Sequence, residues 1–226
     1  MNDLAYRRFG RIFDDGLESG TLLTSESPAG KWSNRIGVGT TIVVAGVEGS
    51  TTHHGAYRLQ AYVPGVVAGQ QGLANVNLQV AGSNVANVGY ARWYVKLTAL
   101  PPNAGDRVYL GELIGYNALY GVEPYIEKSY RLVLRWGLRS YEDSVATGKI
   151  VDTTGTGTVP APLADHWYCL EVLRDITNGQ QQLWIDGSLE ASQPRAITTP
   201  NSALRVGISG NIGNKRKEKR KGEKKK

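Results

Sequence analysis

Cysteine, methionine, phenylalanine and histidine are all scarce: one Cys, one Met, two Phe and three His in 226 residues. A single cysteine excludes an intramolecular disulfide, and Cys169 stands in an alternating run that marks it as a buried structural thiol. The histidines make no zinc pattern: adjacent His53 and His54 would point to opposite faces of a strand, and His166 is alone. No apolar run reaches the length of about 18 residues that a membrane-spanning helix needs. The opening residues, Met1 to Arg8, lack the apolar core of a secretory signal, so the address stays unassigned. An extracellular or virion setting would follow if the chain were part of a larger product. No Gly-rich phosphate cradle or Gly-x-Ser-x-Gly elbow is present, and no stretch keeps a helical period.

Glycine (28) and tyrosine (12) are plentiful, which favours turns and strands. The net charge of +6 is misleading, because residues 215–226 hold nine Lys or Arg against two Glu. The body before them is near neutral and has no basic stripe, so attraction to nucleic acid would come only through the tail. The reading is a short leader (1–10), one domain (11–213) and a disordered basic tail (214–226).

Within the domain, Thr40–Ala45 is a β-branched run and His54–Val63 alternates up to Pro64-Gly65. Residues 65–89 suggest one or two irregular strands. Tyr90–Leu97 alternates small or apolar residues with long polar ones, and Arg107–Ile114 follows as a strand. Tyr130 to Arg139 alternates, with Tyr130, Leu132, Leu134, Trp136 and Leu138 on one face and Arg131, Val133, Arg135 and Arg139 on the other. His166–Arg174 and Gln181–Asp186 form a hairpin about Asn178-Gly179, and Leu204–Ile208 is a last strand. Nine to eleven short strands without a helix predict an all-β, two-sheet antiparallel β-sandwich or jelly roll.

Phe13–Gly20, His54–Leu59, Tyr90–Leu97, His166–Glu171 and Leu183–Gly187, in that order, resemble the concanavalin A-like lectin/glucanase superfamily, which includes laminin G-like and polysaccharide-lyase-like jelly rolls. The likeness covers residues 12–210. It implies two antiparallel sheets, one concave, with ligand across the hollow face or at the loop rim. It does not imply one activity, because hydrolases, lyases, lectins and adhesion modules share the fold. Similar members usually close with a further strand near the first one. Here Gly207–Gly213 leads into the tail, which implies a missing strand and an exposed sheet edge.

The family's glucanases place Glu-x-Asp-x-x-Glu along one strand. The nearest stretch, Glu171-Val-Leu-Arg-Asp175, lacks the middle carboxylate, which leaves Glu171 with Asp186 across the hairpin. The lyases' Gln-x-His is absent, although Arg92-x-Tyr94-x-Lys96 and the Arg131, Arg135 and Arg139 row suit carboxylates as well as plain solvated faces. No catalytic residue is therefore named. Calcium is a candidate cofactor through Asp14, Asp15, Glu18, Asp152 and Asp186, none in a diagnostic loop.

By parity, Trp184 shares a face with Asp186 and opposes Leu183 and Ile185, while Trp167, Cys169 and Glu171 share a face across the hairpin. An aromatic plate beside a carboxylate suits a sugar ring and its hydroxyls. The expected function is a non-catalytic carbohydrate-binding or recognition module, with Arg92, Tyr94, Arg135, Glu171 and Trp184 lining the concave sheet. The alternatives are a polysaccharide hydrolase or lyase, and a structural or adhesion domain. The expected partner is an oligo- or polysaccharide, or a protein surface.

Overall fold

The computed structural model describes residues 34–38, 41–46, 57–62, 71–77, 87–115, 120–142, 149–194 and 201–211. They form β1 (Asn34–Val38), β2 (Thr41–Gly46), β3 (Tyr57–Tyr62), β4 (Gln71–Asn77), β5 (Val88–Lys96), β6 (Arg107–Gly115), β7 (Tyr120–Lys128), β8 (Leu134–Glu142), β9 (Lys149–Thr154), β10 (Trp167–Asp175), β11 (Gln180–Ile185), β12 (Ser188–Pro194) and β13 (Asn201–Asn211). A large sheet runs β1-β4-β13-β6-β7-β8-β9, a small one β12-β11-β10-β5, and β2-β3 pair separately. All pairings are antiparallel. The chain is the all-β sandwich that its periodicity predicts.

The two sheets are sealed by inward-facing apolar rows. The large sheet contributes Val108, Leu110, Leu113, Val122, Ile126, Trp136, Leu138 and Leu204; the small sheet contributes Ala91, Trp93, Tyr168, Leu170, Val172, Leu183 and Ile185. Trp136 and Tyr168 meet edge to face across the layers at 4.9 Å, and the indole N–H groups of Trp93 and Trp136 donate to the carbonyls of Leu110 and Pro160. Both tryptophans are core residues, as their strand faces predict. A polar tie also joins the layers: buried Arg174 on β10 donates to Asn201 Oδ1 on β13 at 2.8 Å.

Two local features set the site's geometry. Asp186-Gly187 joins β11 to β12 with both residues at positive φ (50° and 80°), the two-residue hairpin that Asp-Gly favours. In the large sheet, Pro124 lies in the middle of β7, where its missing N–H would break a ladder. Opposite it, β6 bulges: Tyr109 pairs with Tyr125 and Leu113 with Val122, so β6 has one more residue than β7 between the pairs, and Gly111 takes φ 119°.

Three expectations need correction. The strand beginning at Tyr130 begins at Leu134; Tyr130 and Leu132 are exposed in a turn, because Ser129 and Val133 close a tight loop around them. The last strand is Asn201–Asn211 rather than Leu204–Ile208 alone, paired with β4 on one side and β6 on the other, while the edge expected from a missing closing strand lies outside the described residues. Four strands, β1, β7, β9 and β12, stand where none was expected. The segments 1–10, Phe13–Gly20, His53-His54 and 214–226 lie outside the described residues.

Candidate functional site

Four of the five residues expected to line a binding face come together on the outward side of the small sheet. Glu171 on β10 stands directly opposite Arg92 on β5 and directly opposite Trp184 on β11. Tyr94 lies one row along, opposite Cys169. Their strand neighbours Trp93, Leu170, Leu183 and Ile185 are sealed in the core, so alternation sends the four outward. Arg92 Nε donates to Glu171 Oε1 at 2.6 Å, and a second guanidinium nitrogen contacts the same oxygen. Glu171 itself is buried, Arg92 and Trp184 are half-buried, and Tyr94 is 39% exposed.

The electrostatics of this face follow from that ion pair. Burial acts to lower the Arg92 guanidinium's proton affinity, but the Glu171 carboxylate beside it wins and raises it. Burial, then Glu171, pushes the Tyr90 hydroxyl up, and burial, then Glu171, does the same for the Cys169 thiol. Burial and the adjoining Cys169 raise Tyr94. The thiol is thus kept protonated, in keeping with a structural cysteine.

Arg135, the fifth expected residue, is elsewhere. It lies on β8 in the large sheet, because β8 pairs with β7 and β9, and its guanidinium reaches Glu127 Oε1 at 3.3 Å. Parity along a strand gives a side chain's face but not its sheet; Arg139 of the same row is on β8 as well, and Arg131 lies in the turn before it. Asp186 is not beside Glu171 either; its Oδ1 accepts from the Cys169 backbone N–H at 2.8 Å. Of the calcium candidates, Asp152 is on β9 of the large sheet and Asp186 is in the turn between β11 and β12 of the small sheet, and Asp14, Asp15 and Glu18 lie outside the described residues.

The outward side of the large sheet carries a second cluster that the sequence reading missed. Arg205 and Tyr141 both reach Glu112, the tyrosine hydroxyl donating at 2.8 Å. Arg139 pairs with Glu123 at 3.2 Å, and Arg107 pairs with Asp152 at 2.9 Å and Glu127 at 3.3 Å. Guanidinium groups cover the rings: Arg107 lies 4.6 Å from the Tyr125 centroid and Arg139 lies 5.2 Å from that of Tyr109. The Tyr125 ring crosses Gly137 of β8, where a β-carbon would come within 2.2 Å of it.

Glu112 and Glu123 flank the β6 bulge on neighbouring strands, next to the paired Leu113 and Val122. Burial, aided by the Glu112 charge and opposed by Arg139, pushes the Glu123 carboxyl up to about 8. The signal for this cluster was the run Glu123-x-Tyr125-x-Glu127, whose alternation is clean once Pro124 is allowed inside a strand.

Comparison with known proteins gives fold likeness alone. No family model matches the chain, and no curated protein matches it. Among solved structures it is similar to the carbohydrate binding module CBM66 from Bacillus subtilis (11% identity, 77% of this chain and 96% of that chain, TM-score 0.36). It is also similar to the Emp47p carbohydrate recognition domain (10% identity, 80% and 83%, TM-score 0.42) and to the Bacillus licheniformis β-glucanase (17% identity, 62% and 59%, TM-score 0.36). At such identities neither ligand nor activity passes from them to this chain.

Proposed function

We propose that the chain is a non-catalytic recognition module for saccharides, with the ligand lying across the outward side of the small sheet. The observation that carries this reading is the cross-strand row Arg92–Glu171–Trp184 with exposed Tyr94 beside it. A sugar ring offers an apolar C–H face to an aromatic side chain and hydroxyls to a charge pair, and this row supplies both within adjacent strands. Glu171 acts as an acceptor that Arg92 holds in place. Titration calorimetry of hits from a glycan array, on parent and W184A, is the test. Binding in the micromolar-to-millimolar range, weakened about tenfold or more by W184A with the melting temperature kept, is expected. A parent that binds no glycan, or a W184A variant that binds equally well, overturns the reading.

One observation favours a second reading. Glu112 and Glu123 are neighbouring carboxyls of which one is held protonated near neutral pH, the division of roles that acid-assisted glycoside cleavage uses. Release of reducing sugar from a polysaccharide panel, abolished by both E112Q and E123Q, would replace the recognition module with a hydrolase.

A further inference from the structure

The turn between β7 and β8 is an apolar tip held out from the sandwich. Tyr130, Leu132 and Val133 are 74%, 66% and 57% exposed, and they are close neighbours in sequence. Arg131, between them, is exposed as well. Single exposed apolar residues need no explanation, but three among the four consecutive residues 130–133 do.

The tip is also built at a conformational cost. The Leu132 N–H donates to Ser129 O at 2.8 Å, the Ser129 N–H donates to Val133 O at 2.9 Å, and Leu132 takes φ 62°. This is the three-residue hairpin loop whose last residue is left-handed, a position that glycine fills without strain and a leucine does not. The base is firmly tied: the Val133 N–H donates to Ser129 Oγ, the Gly105 N–H donates to Lys128 O, the Lys128 ammonium donates to Pro102 O, and the Tyr130 hydroxyl lies against Gly105. A rigid base therefore presents a large apolar side chain at a point where the backbone favours none. Strain kept at an exposed apolar residue points to a use for that residue.

Charge and size narrow what the tip meets. The tip itself carries Arg131, with Lys128 at its base and no Asp or Glu from Lys128 to Tyr141; Arg135 and Arg139 further along β8 are paired with Glu127 and Glu123. A three-residue turn cannot supply the roughly 800 Å² per partner that a stable protein interface needs. An interfacial bilayer needs only a few apolar side chains to enter, with a tyrosine at headgroup depth and arginines reaching phosphates. We propose that the β7–β8 turn inserts Leu132 and Val133 into the surface of an anionic lipid bilayer, with Lys128 and Arg131 against its headgroups.

The test is co-sedimentation of the full chain with vesicles of phosphatidylcholine alone and of phosphatidylcholine with about one-third phosphatidylserine. Three proteins are compared: the parent, L132G, and the double variant L132D/V133D. Expected is partition onto the anionic vesicles, lowered about tenfold or more in both variants. L132G should at the same time melt no lower than the parent, because glycine relieves the turn. Loss of lipid binding with a gain in stability is a signature that a purely structural leucine cannot give. The nine cations of residues 215–226 also attract anionic vesicles, and that attraction does not depend on the turn. Three results overturn the proposal: absence of binding, equal binding by all three proteins, or self-association of the parent that both variants abolish in sedimentation velocity without lipid.

Discussion

Replacing Glu123 by glutamine separates two accounts of the large sheet's charge cluster. Its side chain is 13% exposed and lies 3.2 Å from the Arg139 guanidinium, so an ion-pair account predicts that E123Q weakens the fold. The carboxyl also sits where burial and the Glu112 charge oppose ionisation, and together they outweigh Arg139. A carboxyl that ionises near pH 4.5 in the unfolded chain and at about 8 in the folded one binds its proton more tightly when folded. Its contribution is therefore whole below about pH 4.5 and is lost as pH rises toward 8, at a slope of up to about 1.4 kcal/mol per pH unit. The amide keeps the shape and never ionises, so it escapes that loss. E123Q is expected to lie within about 1 kcal/mol of the parent near pH 5 and to exceed it by about 4–5 kcal/mol at pH 9. Urea unfolding followed by tryptophan emission across pH 5–9 measures both, with buried Trp93 and Trp136 as reporters. An E123Q variant less stable than the parent at pH 9, or one with the parent's pH slope, refutes the reasoning and makes Arg139 the stronger influence.

Two further outcomes follow from packing. G137A places a methyl group against the fully buried Tyr125 ring and should cost about 1–3 kcal/mol of stability, read by thermal melting; an unchanged melt would mean that Tyr125 does not cross β8. N201A takes a 2.8 Å acceptor from the buried Arg174 guanidinium and should cost about 2–3 kcal/mol by urea unfolding, far more than deletion of an exposed amide.

The small sheet was legible because its signals are local. In β10 and β11 the apolar residues recur at every second position, Asn178-Gly179 and Asp186-Gly187 mark the turns, and alternation puts Glu171 and Trp184 on the same face. Arg92 and Tyr94 joined them because β5 alternates in the same way and has β10 as its neighbour. Strand pairing is what periodicity does not contain. Arg135 alternates as cleanly as Arg92, yet its strand lies in the other layer, where Glu127 rather than Glu171 is its counter-charge.

The large sheet's cluster was hidden by a more particular physical cause. Pro124 argues against an interior strand, so Tyr120–Lys128 is passed over and its carboxylates with it. The objection is removed at long range: β6 bulges at the place where Pro124 has no N–H to give, helped by the positive φ of Gly111. The same bulge brings Glu112 onto the outward side next to Glu123, whereas unbroken alternation from Arg107 and Tyr109 would have pointed it into the core. A proline that looks disqualifying and a carboxyl that holds its proton near neutral pH thus share one structural origin. Deleting Gly111 would place Glu112 directly after inward Leu110, so alternation would keep it outward and opposite Glu123, but β6 would then run flush against Pro124. Urea unfolding should show a loss of stability well above that from removing a glycine elsewhere in a loop, and an unchanged midpoint would sever the bulge from the proline.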